Sequence, residues 1–169
     1  FPLFVPRCYA QKMRRGDPSD PLLLEILPRQ LERQEQPGFV KDPLNEQDAN
    51  PVPGLLHKYK GRVLLTLNAA CAVHCRYCFR RHYDYPKQTL DKAFSKTWLS
   101  YIQTHTDIHE VIFSGGDPMM LPDAAWATWV EALSTIPHLR TLRIHSRMPA
   151  VLPERISSDW CNIMAQSPL

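Results

Sequence analysis

The sequence predicts an α/β protein whose larger part is a series of strand-helix units. Three observations carry that expectation. Continuous apolar runs occur at RVLLTL (62–67), EVIF (110–113) and TLRIHS (141–146). Apolar residues recur at helical spacing between and after them, and a proline-rich beginning follows neither pattern. The 169 residues amount to about one domain. With 44% hydrophobic and 22% charged residues and a net charge of +3, the chain is too balanced to imply nucleic acid or a membrane surface. No apolar run reaches the roughly 18 residues that span a bilayer, and no charged leader precedes an apolar stretch. The expectation is a cytoplasmic protein with neither a membrane nor a nucleic-acid partner.

Residues 1–58 are expected to be an irregular, partly helical extension, because nine of the 16 prolines precede residue 54. Its clearest signal is Asp20-Pro21, an N-cap followed by proline at the first helical position, with Pro28 to end the helix. From residue 59 onward the units begin. RVLLTL reads as a strand buried on both faces that delivers Asn68 to its C-terminal end. Leu90, Phe94, Trp98, Tyr101 and Ile102 form a helix face, and EVIF is a second strand running into SGGDP. Trp126, Trp129, Val130 and Leu133, with Pro122 near the start, make the next amphipathic helix. TLRIHS is a third strand, and Ile156, Trp160, Ile163 and Met164 form a last helix face. The tryptophans and the Met119-Met120 pair read as packing. Three such units imply a parallel sheet, and ligands gather at the C-terminal ends of its strands. The start at Phe1 and the end at AQSPL predict a piece of a longer chain.

Three of the five cysteines fall in CAVHCRYCFRRHY (71–83), as Cys71, Cys75 and Cys78; Cys8 and Cys161 stand alone and read as packing or surface residues. The number is odd and the spacing is C-x3-C-x2-C, which suits a metal or redox site better than a disulfide framework. Three readings are open. A structural zinc would take His74 or His82 as fourth ligand, giving a zinc-stabilised RNA- or protein-binding module. A nucleic-acid platform would use the arginines on phosphates and Tyr77, Phe79 and Tyr83 on bases. An iron-sulfur cluster of four irons would keep one iron without a protein ligand, an open position such as catalytic metals hold.

The arrangement of Cys71, Cys75, Tyr77 and Cys78 resembles the signature of radical S-adenosylmethionine enzymes, and FSGGDP (113–118) is similar to their Gly-Gly-acidic segment after the second barrel strand. That resemblance implies a (βα)6 barrel, of which this chain would hold about half, with a 4Fe-4S cluster on the three cysteines. It implies that Ser114, Gly115, Gly116 and Asp117 line S-adenosylmethionine, whose cleavage yields a 5'-deoxyadenosyl radical. NPVPGLLHKYKGRVLL, CRYCFRRHY, FSGGDPMML and RIHSRMPAVLPERI together resemble the lysine 2,3-aminomutase branch, and within it the enzymes that make β-lysine for elongation factor P. Those enzymes also use pyridoxal 5'-phosphate, with nitrogen migrating from the α- to the β-carbon of lysine. By that resemblance Arg80 would hold the substrate carboxylate, Arg62 would stand near pyridoxal phosphate, and Ser146 and Arg147, with Tyr77, would face S-adenosylmethionine. It further implies an amino-acid substrate, an electron donor such as flavodoxin or ferredoxin, and leaves a homo-oligomer open. The lysine that anchors pyridoxal phosphate in that branch has no match here and is expected beyond Leu169, so residues 1–169 alone are expected to lack aminomutase activity.

Overall fold

The proline-rich beginning can support only short helices. In the computed structural model, which describes residues 2–88 and 92–169, they are α1 (Arg7–Ala10) and α2 (Pro21–Ile26). The start of α2 is the one its sequence predicts: the Asp20 carboxylate accepts the Leu23 N–H at 3.0 Å and Pro21 occupies the first helical position. It ends before Pro28. The extension is not wholly irregular, because it closes with a strand, β1 (Leu55–Tyr59). This strand pairs antiparallel with β2 (Arg62–Asn68), Leu55 opposite Leu65 and Tyr59 opposite Arg62. A tight turn joins the two, with Gly61 at φ +78°. Its polar end, His57 to Tyr59, breaks the apolar run that marks the other strands, so the pattern did not separate it.

β2 pairs in parallel with β3 (Glu110–Gly115), and β3 with β4 (Thr141–Ile144), giving the order β1-β2-β3-β4. All six residues of β3 are buried, as a central parallel strand requires. β4 is an edge strand and shorter than TLRIHS suggested; beyond it only the His145 N–H continues the ladder, donating to the Phe113 carbonyl at 2.9 Å.

Helix α3 (Tyr85–Gln88) precedes α4 (Lys92–Thr104), which buries Trp98 and Ile102 completely. Of the predicted face, Leu90 and the side chain of Phe94 lie outside the described residues. Helix α5 (Asp123–Ser134) buries Trp126, Trp129, Val130 and Leu133. Trp98 stacks on Trp129, and Phe113 of β3 lies against Trp126 at 5.4 Å, so the core is aromatic where helices meet sheet. After the short α6 (Met148–Val151), α7 (Ser158–Ala165) packs Trp160, Ile163 and Met164 against this core. Ile156 does not share that face. Ser157 caps the helix by accepting the Trp160 N–H, which leaves Ile156 before the first turn and 38% exposed. Met119 is buried while Met120 is half exposed. Among the described residues, no helix is long and apolar enough to cross a membrane.

Candidate active site

The C-terminal ends of β2, β3 and β4 come together beside a cavity of about 790 Å³, lined by the three cysteines, Arg62, Tyr77, Arg80, Ser114 to Asp117, Ser146 and Arg147, whereas His74, His82 and Tyr83 do not line it. The strand ends are stitched by backbone. Gly116 N–H donates to the Asn68 carbonyl and Asp117 N–H to the Ala70 carbonyl, each at 2.7 Å, while the Asn68 amide donates to the Asp117 carbonyl at 3.0 Å. This closeness explains the paired glycines. A Cβ on Gly115, which sits at φ +114°, would lie 2.7 Å from the Asn68 oxygen, and one on Gly116 would strike the Ala70 carbonyl oxygen. The glycines are therefore needed first for two strand-end loops to touch, before any ligand is considered.

That contact fixes where the loop of Cys71, Cys75 and Cys78 begins. The N-terminal extension clasps its outer side: His74 N–H donates to the Phe4 carbonyl, Arg76 N–H to Glu25, and Glu32 pairs with Arg76 at 2.8 Å and with Arg81 at 3.2 Å. All five cysteines are free, and these three are partly buried. Burial, then the nearby Asp117 carboxylate, pushes the Cys71 thiol up to about 12. Burial also raises Cys75, and the Arg147 guanidinium beside it works in the opposite direction.

The zinc reading is weakened by the same geometry. His74 turns its Nδ1 to the Pro2 carbonyl at 3.0 Å and packs its ring on Phe4, while His82 is exposed and does not line the cavity. Among the described residues, no three His, Cys, Asp or Glu side chains converge as one ion requires. A four-iron cluster makes no such demand, because each thiolate takes a different iron. Three thiols of one short loop that all line the same cavity fit that group.

The polar wall is held by ion pairs. Arg80, 7% exposed, presents Nε and Nη2 to the Glu46 carboxylate at 2.7 and 2.5 Å, and its Nη1 donates to Ser114 Oγ at 2.9 Å and the Gly115 carbonyl at 3.5 Å. Arg62 and Arg143 share the buried Glu110, at 3.4 and 2.6 Å. Asp117 braces one strand end to the next: its Oδ1 accepts Ser146 Oγ–H at 2.7 Å and Met119 N–H at 3.0 Å, and its Oδ2 accepts Arg147 N–H at 2.8 Å. The Arg147 guanidinium then lies over the Tyr77 ring at 4.6 Å and pairs with Glu25.

The sequence does not single out Glu46, Glu110, Tyr85, Arg143 and His145, five further residues of the site. Tyr85 donates to the Gly115 carbonyl at 2.7 Å. His145 lines the cavity, and burial together with Arg143 and Arg80 holds it below the ordinary histidine value, so its ring is neutral at pH 7. Only Glu110 carried a usable sign, a carboxylate entering a buried strand. Chemically, the cavity combines thiols that can ligate metal, guanidinium groups for anionic ligands, and strand-end backbone packed too tightly for side chains.

A family model for a 4Fe-4S single cluster domain matches residues 60–138. L-lysine 2,3-aminomutase of Haemophilus influenzae is 46% identical over 169 residues, all of this chain and 50% of that protein. The protein of the same name from Escherichia coli K12 is 47% identical over the whole chain and 49% of its own length. That of Clostridium subterminale is 35% identical over 92% of this chain and 38% of its own. The chain thus spans about half the length, or less, of these curated relatives.

Proposed function

We propose that this chain, which belongs by sequence with the lysine 2,3-aminomutases, forms the cluster-holding part of a radical S-adenosylmethionine aminomutase that converts L-lysine to β-lysine. The observation that carries the reading is the gathering of Cys71, Cys75 and Cys78 with the ends of three consecutive strands around one cavity. The relatives and the 4Fe-4S domain support an iron-sulfur cluster, S-adenosylmethionine and pyridoxal phosphate as cofactors. When bound, they supply an electron, a hydrogen-abstracting radical and a covalent handle for the amino group.

The residues of this chain do the holding. Cys71, Cys75 and Cys78 would hold the cluster, three ligands for its four irons. The segment from Ser114 to Asp117, with Tyr77, Ser146 and Arg147, lines the S-adenosylmethionine side, where Asp117 fixes the loops rather than offering a free carboxylate. Arg80 receives the substrate carboxylate, since a planar guanidinium suits that group. Arg62 stands toward pyridoxal phosphate, whose anchoring lysine is assigned to no residue of this chain. The three parallel strands β2, β3 and β4 belong to a six-unit barrel in this reading. The electron would come from a donor of the flavodoxin or ferredoxin type, and the β-lysine would be destined for elongation factor P.

Anaerobic reconstitution with iron and sulfide tests the proposal. A reduced cluster whose electron paramagnetic resonance spectrum changes on adding S-adenosylmethionine is expected, and the intact natural protein should then form β-lysine from lysine. Stoichiometric zinc without iron, or a spectrum indifferent to S-adenosylmethionine, would overturn it in favour of a binding module.

A further inference from the structure

A guanidinium has five N–H groups, and those of Arg80 can be counted. Glu46 takes the Nε–H and one Nη2–H at 2.7 and 2.5 Å. Ser114 Oγ and the Gly115 carbonyl take the two on Nη1, at 2.9 and 3.5 Å. One Nη2–H remains. The pair is deeply placed, with both residues 7% exposed, so neither side chain can swing into water without leaving a charge buried. Glu46 is itself held from behind: its N–H donates to Asp42 Oδ1 at 3.0 Å and the Gln47 N–H to Asp42 Oδ2 at 3.1 Å, around a turn that places Asn45 at φ +50°. Glu46 and Arg80 line the cavity together with the three cysteines.

We propose that Glu46 is a positioning residue for amino-acid binding: it occupies one edge of the Arg80 fork, fixes the guanidinium plane and leaves a single N–H to receive the carboxylate of the incoming amino acid. A side-chain carboxylate, immobilised by the Asp42 turn, does what packing alone does poorly, because an arginine has several rotatable bonds to restrain. The donor count has a further consequence. A ligand carboxylate cannot take the Nε–Nη2 fork in a two-point grip while Glu46 is in place, so it binds end-on, and recognition depends on the direction of one charge-assisted hydrogen bond. The inference rests on reading Arg80 as the carboxylate-binding residue.

The test uses the intact natural protein, loaded with its cofactors, and compares the dissociation constants of L-lysine and of L-lysinamide, which lacks the carboxylate. The wild type should prefer lysine. Glu46→Gln should reduce that preference about tenfold, the weight of one well-aligned charge-assisted bond, while leaving the lysinamide constant and the iron content unchanged. Glu46→Asp should restore part of it. Should Glu46→Gln fail to fold, Asp42→Ala loosens the same carboxylate from the partly exposed turn and should lower the preference in the same direction. An unchanged preference in these variants, with Arg80→Lys abolishing it, would overturn the role of Glu46 and leave the reading of Arg80 standing. An unchanged preference in Arg80→Lys would overturn that reading itself.

Discussion

At the scale of single residues, the chemistry of the site is set by what burial does to charge. The Cys71 thiol is pushed up to about 12, chiefly by burial and then by Asp117, so at neutral pH it keeps its proton. In the proposed role Cys71 would bind iron as the thiolate, and loading must therefore displace that proton. The sign follows: below the raised pKa the thiolate fraction grows about tenfold with each pH unit, so cluster assembly should quicken steadily from pH 6.5 to 8.5. Assembly rates followed by visible absorbance check this, and a flat profile would mean the Cys71 thiol ionises more easily than its burial dictates. Asp117 shows the complementary effect. An acidic residue after two glycines looks from sequence like a ligand for an ammonium group, yet its oxygens already accept three hydrogen bonds from its own chain. Its carboxylate orders the loops around the cavity.

At the scale of elements, stability resides in the aromatic seam between β3 and the helices α4 and α5. Trp126 is completely buried, 5.4 Å from Phe113 and 5.6 Å edge-on from Trp160 of α7. Trp126→Ala should therefore cost about 3–5 kcal/mol, the range for emptying a large aromatic site in a rigid core. Urea unfolding measures it. Because β3 ends in the Gly115-Gly116 contact with the loop after β2, a sheet loosened at its middle should also spread its strand ends. Helical periodicity identified the seam well, since a helix packed on a sheet must repeat its apolar residues every three to four positions. It did less well at boundaries. Ile156 continues the apolar period but precedes the Ser157 cap, and a hydrophobic residue just before a cap commonly packs like one within the helix.

At the scale of the molecule, the extension and the sheet act as two sides of a clamp on the cysteine loop. Glu32, far from the loop in sequence, pairs with both Arg76 and Arg81 across it. Glu32→Gln should cost between the ~1 kcal/mol of an exposed pair and the ~3 kcal/mol of a buried one. Its clearer expected effect is local: faster hydrogen exchange across 71–83 and quicker loss of iron to a chelator, measured by exchange mass spectrometry and by iron release. The sequence by itself determined the order of the three parallel strands and the long helices that follow them, though not the antiparallel β1, together with the apolar faces that bury them and the cysteine and Gly-Gly-Asp segments at strand ends. These are local patterns, written within a few residues of one another by the periods of helix and strand. Only the tertiary structure decided that Glu46 meets Arg80, that Glu110 bridges two arginines, and that the glycines make room for backbone. Such partners are separated by tens of residues, and a carboxylate in a proline-rich loop has no period to betray it; its role is fixed by which buried cation the fold brings within hydrogen-bonding distance.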